Sequence, residues 1–287
     1  MKIVTTKSTD GIYYKGLLTE SDNPMGLIIH GMSGSPIHDT YYPLMHEIYP
    51  KSGWSFLAVE HRGTGSITQF NSDNGVINIG NAFEIFEDCI HDIQGWVNFA
   101  KELGYKRIWL QSHSLGTAKT AYFFNQTRSL DISGLIWISP SDMLGLVHDP
   151  LGIKDHEKLL PEALNLVKQE KPRQLLSDYL WEDVIISAQS YLSFFGKAAK
   201  DAIFNYESDR GWEIVNSITV PVLALTGTED DGIVPVIDVN KAMELLSRQL
   251  SSSPNKKTII YQTARHSFVG FENNIVNDVM NFIKQFN

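Results

Sequence analysis

Short apolar runs that each break off at a turn recur along this chain, with helix-like stretches between them. "GIYYKGLLTE" (11–20) is the first strand-like run. "MGLIIHG" (25–31), "WSFLAVEHRGTG" (54–65), "RIWLQSHS" (107–114), "ISGLIWISP" (132–140), "ITVPVLALTGTED" (218–230) and "KKTIIYQTA" (256–264) repeat the pattern. Helical stretches fall near 41–50, 81–103, 115–127, 235–250 and 272–286. Near-continuous apolar runs mark strands covered on both faces, and their alternation with helices predicts βαβ units around a mostly parallel sheet.

One stretch breaks the rhythm. From 141 to 212 no run reads as a strand, and "LLPEALNLVKQEKP" and "VIISAQSYLSFFGKAAKDAIF" read as helices. This is too long for a connecting loop between two core strands. The expected organisation is a core of 1–140 and 213–287 with a helical insertion, a lid, over 141–212. The 287 residues suffice for one large domain with a substantial core.

Charge and cysteine content narrow the setting. The formal net charge is −9, which disfavours nucleic acid as a partner. "MKIVTTKSTDGIYYKG" carries no apolar signal-peptide core, and no stretch has the ~20 apolar residues of a membrane span. The single cysteine, Cys89, excludes an internal disulfide and reads as a buried thiol on an amphipathic helix. A cytoplasmic protein is expected.

The chemistry-bearing residues stand at strand ends. In "LQSHSLGTAKTAYFF", Ser114 follows a strand and heads a helix. A nucleophile on such a turn needs small residues two before and two after it, because backbone crowds there. Gly116 fills the second position and Ser112 the first; Ser112 as nucleophile would place Leu110 in a small position and fits worse. A plain serine N-cap is the competing reading. "LIIHGMSG" ends a strand with His-Gly, where the backbone N–H of Met32 can pair with that of Leu115 to hold an oxyanion. Ser33 in the same loop reads as a turn serine. "LTGTEDDGIVP" offers acids after a strand, and "YQTARHSFVG" places His266 between the last strand and the last helix. The order Ser114, Asp230, His266 is serine, acid, histidine.

With "HGMSG", "EHRGTGS", "SHSLG", "GTEDDGIVP" and "ARHSF" in this order, the chain resembles the α/β-hydrolase superfamily over nearly its whole length. Within it the chain looks most like serine esterases and acyl hydrolases of the lysophospholipase or feruloyl-esterase kind. The resemblance implies an α/β-hydrolase fold: an eight-stranded, mostly parallel sheet flanked by helices, with a cap inserted after the sixth strand, where 141–212 falls. It implies a cofactor-free, metal-free serine hydrolase acting on a small-molecule ester, and no particular oligomeric state. His266 would take the proton of Ser114, Asp230 would orient the imidazole, and water would release the acyl-enzyme.

The chain departs from the family pattern in places. Ser112 replaces the usual glycine. The acid motif carries one extra residue, so counting from Gly227 gives Asp230 while counting back from Val234 gives Asp231; the strand end favours Asp230. His61 stands where relatives often carry aspartate, in what reads as a structural turn. His148, Asp149, Asp155 and His156 lack metal-ligand spacing, and no phosphate-binding loop is present. Trp181, Tyr191, Phe194, Phe195, Phe204 and Trp212 are either acyl-pocket or packing aromatics. An amide, peptide or thioester hydrolase with the same triad, or a non-catalytic binding protein on this fold, is the alternative. A haloalkane dehalogenase is disfavoured by the serine at 114, where that chemistry needs a carboxylate.

Overall fold

A computed structural model describes residues 1–31, 40–148, 153–181, 184–233 and 235–286. The chain runs β1 (Lys2–Lys7), β2 (Tyr13–Thr19), β3 (Gly26–Gly31), α1 (Tyr42–Lys51), β4 (Trp54–Val59), β5 (Gln69–Ser72), β6 (Gly75–Asn78), α2 (Cys89–Glu102), β7 (Ile108–His113), α3 (Leu115–Thr127) and β8 (Ile132–Ile138). It continues through α4 (Met143–His148), α5 (Ile153–Lys168), α6 (Ala188–Phe195), α7 (Glu213–Asn216), β9 (Val222–Glu229), α8 (Val239–Gln249), β10 (Lys256–Arg265) and α9 (Glu272–Ile283).

Eight strands form one sheet in the order β1-β2-β4-β3-β7-β8-β9-β10. Only β2 runs against its neighbours; the pairs from β4 through β10 are all parallel. This is the α/β-hydrolase architecture that the motifs imply. Side chains alternate across each strand, so adjacent residues feed opposite cores. Leu27, Ile29, Leu57, Val59, Val222 and Ala224 join α2, α3 and α8 on one face. Ile28, Phe56, Ala58, Leu223 and Leu225 join α1 and α9 on the other.

Three local features differ from the sequence expectation. Strand β1 and the β5–β6 hairpin are short and largely exposed, so no apolar run announces them. The helix expected from 81 begins only with a 3₁₀ turn at Phe86–Asp88 ahead of α2. Residues 80–82 are instead bonded to the preceding turn, with Gly80 N–H donating to the Arg62 carbonyl, Asn81 to Gly65 and Ala82 to Ser66. Gly80 has φ +72°, and a Cβ there would lie 2.6 Å from the Ser66 carbonyl oxygen. The helix expected from 235 starts at Val239, capped by the Asp238 side chain on Lys241 N–H.

Between β8 and β9 lie α4, α5, α6 and α7, and among the described residues there Leu175 bridges Ser187 and Leu180 bridges Val184. Among the described residues no helix is long and apolar enough to cross a membrane.

Candidate active site

The three motif residues stand at the carboxyl ends of parallel strands of the one sheet, where open α/β sheets present their sites. Ser114 follows β7, Asp230 follows β9 and His266 follows β10. Ser114 has φ 53° and ψ −129°, outside the regions that a serine adopts without strain. Its N–H donates to the Ile138 carbonyl at 2.9 Å, and its carbonyl accepts from the Thr117 hydroxyl at 2.6 Å, so the turn is pinned on both sides. Leu115 is the first residue of α3, and its N–H belongs to the helix turn that has no internal acceptor. Met32, the other expected oxyanion donor, lies outside the described residues, as does Ser33.

Ser112 is fully buried and its hydroxyl shares a 3.0 Å hydrogen bond with Thr120. It therefore serves as the small residue under the turn, with its oxygen engaged in the core.

A register shift carries His266 to its place. Tyr261 pairs with Gly227, yet Arg265 pairs with Glu229, so β10 spends more residues than β9 over this interval. Such a bulge bends the strand and re-aims the residues beyond it. The bulged backbone presses on Gly227, where a Cβ would lie 2.0 Å from the Ala264 carbonyl oxygen. Just past the bulge, His266 Nδ1 sits 2.7 Å from Asp230 Oδ1.

Asp230 is fully buried, and its carboxylate is surrounded by donors. Oδ1 also accepts from Gly232 N–H at 3.0 Å, while Oδ2 accepts from Thr226 Oγ1 at 2.9 Å and from the Ser139 hydroxyl. Burial pushes this carboxyl up, but the hydrogen bond and charge of His266, with Ser139 and Thr226, outweigh it and pull the group down to about 2. Asp231 is 81% exposed, with Oδ1 3.8 Å from the same Nδ1. The geometry thus puts Asp230 in hydrogen-bond contact and Asp231 at ion-pair distance. Asp230, Asp231 and His266 are the group of possible metal ligands among the described residues, within 4.8 Å of one another. The short Asp230 contact already occupies Nδ1.

Sequence reasoning missed the residues that support this pair. Gly232 lies in the acid loop; a Cβ there would lie 2.3 Å from Ser141 Oγ and 3.0 Å from His266 Cε1. Ser139 follows β8 with φ 51° and offers no motif of its own. His113 packs beside His266. The turn residue His61 accepts from Gly63 N–H at 3.0 Å, and Arg62 bonds buried Asp92 at 2.8 Å, consistent with a structural role.

A cavity of about 170 Å³ opens beside Ser114 and Leu115. Among the described residues, Asn81, Met143, Leu180, Trp181, Val184, Ile186, Phe194 and Phe195 also line it. Of the six aromatics in question, Trp181, Phe194 and Phe195 reach this wall. Tyr191 is buried and bonds His156 at 2.8 Å, while Phe204 and Trp212 pack around Tyr206. Asp149 and the side chains of His148 and Asp155 lie outside the described residues. Cys89 is buried in α2, and burial pushes its thiol up, away from reactivity.

The fold is shared with solved hydrolases. Est1E from Butyrivibrio proteoclasticus, solved with ferulic acid, aligns at TM-score 0.68 and 18% identity over 98% of each chain. A thermostable carboxyl esterase from Bacillus coagulans, in complex with glycerol, aligns at 0.68 and 15% over 99% of this chain and 98% of that one. A monoglyceride lipase from Saccharomyces cerevisiae, with a substrate analogue, aligns at 0.61 and 19% over 98% and 93%. No curated protein sequence is matched by the chain. The family model described as serine aminopeptidase, S33, matches residues 27–274, most of the chain, and the protein belongs to that family of α/β-hydrolases.

Proposed function

We propose that the protein is a serine hydrolase that cleaves a carboxylic ester of a small molecule through an acyl-enzyme on Ser114. The observation that carries this reading is the pairing of a strained serine at a strand–helix turn with a histidine whose Nδ1 is held 2.7 Å from a buried carboxylate. His266 accepts the Ser114 proton at Nε2 as the hydroxyl attacks the ester carbonyl. Asp230, ionised and fully hydrogen-bonded, holds the Nδ1–H tautomer and stabilises the imidazolium. The N–H groups of Leu115 and Met32 hold the oxyanion. His266 returns its proton to the departing alcohol, then activates the water that frees the acid. No cofactor enters these steps. The segment 141–212 acts as a cap, because Leu180, Trp181, Ile186, Phe194 and Phe195 from it cover Ser114.

Ester substrates are favoured by what the neighbouring structures are named for: an esterase bound to ferulic acid, a carboxyl esterase and a monoglyceride lipase. The family description names an aminopeptidase, which makes amide or peptide cleavage by the same residues the second reading. Treatment with a fluorophosphonate, followed by intact-mass and peptide mass spectrometry, is expected to show one adduct on Ser114. A panel of p-nitrophenyl esters and matching aminoacyl p-nitroanilides then separates the readings. No adduct on Ser114 would refute the mechanism, and turnover of the anilides alone would move the function to peptides.

A further inference from the structure

We infer that the pocket beside Ser114 selects a compact acyl group carrying a hydroxyl or keto oxygen, recognised by the side-chain amide of Asn81. The inference rests on the proposed acyl-enzyme reading and deepens it.

Size comes first. The cavity holds about 170 Å³. An apolar cavity of about 150 Å³ accommodates a benzene ring. The enclosed part of the pocket therefore takes a single ring or a short chain, and a longer acyl chain has to run out through its open side. The acyl group is the part of the substrate that stays on Ser114 through both half-reactions, so the pocket containing Ser114 is where it must fit.

Polarity comes second. Among the described residues that line it, Asn81 is the polar side chain besides Ser114. A primary amide offers two donors and an acceptor. Among the described residues the Asn81 side chain makes no hydrogen bond, although its own backbone N–H is bonded to the Gly65 carbonyl at 2.7 Å. Asn81 is half-buried, so a ligand oxygen that enters the pocket can replace water on its amide with a direct hydrogen bond.

Rigidity comes third. The residues around Asn81 are fixed to both the core and the cap. Gly80 and Ala82 are bonded to the 62–66 turn, and the Ala82 carbonyl accepts from Ser187 N–H at 2.8 Å. Three residues on, buried Glu84 pairs with buried Lys119 at 2.6 Å, on the helix that Ser114 heads. Asn81 is thus held at a fixed place relative to the nucleophile, which is what a selective hydrogen bond requires.

The test measures binding without turnover. Ser114→Ala protein is titrated calorimetrically with matched methyl esters: benzoate against 4-hydroxybenzoate, and butanoate against 3-hydroxybutanoate. A methyl group leaves discrimination to the acyl part. At least one oxygenated member is expected to bind roughly three- to tenfold tighter than its plain partner, the worth of one neutral hydrogen bond. In Ser114→Ala/Asn81→Leu that preference is lost while the plain partner still binds. Asn81→Ala is the second variant, and circular dichroism checks both for folding. Equal affinities within both pairs, a preference that survives both Asn81 variants, or no saturable binding of any ester would overturn the inference. Fluorophosphonate labelling of the wild type separates the two claims. Preference without a Ser114 adduct sinks the hydrolytic reading alone, and an adduct without preference sinks the pocket assignment alone.

Discussion

His113 and His266 pack ring against ring, with centroids 4.7 Å apart, and His113 Nε2 lies 2.8 Å from the His266 backbone carbonyl. Because a carbonyl only accepts, the proton of that bond is on His113 Nε2. The residue just before the proposed nucleophile thereby holds the loop that carries the proposed base. Replacing His113 with Phe keeps a ring and removes the bond. Displacements near 1 Å at a reacting centre lower rates by up to about 10²-fold. We expect kcat on a p-nitrophenyl ester to fall on the order of tenfold, with KM changed much less. Unchanged kcat would show that the loop holds itself.

The two adjacent acids have different surroundings and so different expected effects. Asp230→Asn removes the acceptor that fixes the His266 tautomer, and an equivalent change in a serine-protease triad lowers kcat about 10⁴-fold. Asp231 is 81% exposed at 3.8 Å, so water and salt screen it. Asp231→Asn is expected to change kcat only a few-fold, less at high salt. The reverse ranking would transfer the orienting role to Asp231.

The same carboxylate sets a pH prediction. Asp230 is pulled down to about 2 in the fold, below its ordinary value of 3.8. Its contribution to stability is fully present above about pH 4 and is lost as pH falls through about 2. Between pH 5 and 8 Asp230 stays ionised, leaving a histidine base to produce the acid limb. We expect kcat/KM to fall as pH drops through roughly 6–7, where histidines ordinarily titrate, with the protein still folded. A flat profile over that range would exclude a histidine base.

Gly232 answers to geometry that no side chain reveals. Gly232→Ala sets a methyl 2.3 Å from Ser141 Oγ and 3.0 Å from His266 Cε1. Both cannot stay in place. We expect a loss of roughly 10²-fold in kcat with little change in thermal midpoint. Adding Ser141→Ala removes the tighter contact and should recover part of the rate. No loss in the single variant would mean that the loop relaxes freely around the methyl.

The sequence is legible where local signals are strong. Buried strands such as "GLIIHG" and "WSFLAV" read clearly because both faces are covered, and α3 starts and ends where its pattern does. Counting from Gly227 leads to Asp230 because that glycine is fixed by the backbone pressing on it. The exposed edge strand β1 carries no apolar run and stays silent, while the bonded turn at 80–84 reads as helix because its bonds reach back to distant backbone. Residues such as Ser139 and Gly232 act through contacts between loops at the ends of different strands, and no spacing along the chain records those.

Lys119 and Glu84 make the remaining prediction, about the scaffold under the pocket. Their charged groups meet at 2.6 Å with side chains only 1% and 2% exposed. Burial pushes the Glu84 carboxyl up, and Lys119 opposes the shift. Such a pair is close to balanced, since desolvation offsets much of the attraction, but removing one partner leaves a buried charge uncompensated. Lys119→Met is therefore expected to destabilise the protein by about 3–5 kcal/mol, read from urea unfolding midpoints. Lys119→Met/Glu84→Leu removes both charges and should recover more than half of that loss, because a packed apolar pair of similar volume is often neutral. A single variant within about 1 kcal/mol of wild type would place it in the range of an exposed ion pair, showing that Glu84 is readily protonated or hydrated there. A double variant no better than the single would show that the carboxylate is needed for its own contacts, where it rests against the backbone of Gly63, whose Cβ position is 2.5 Å from both Glu84 oxygens.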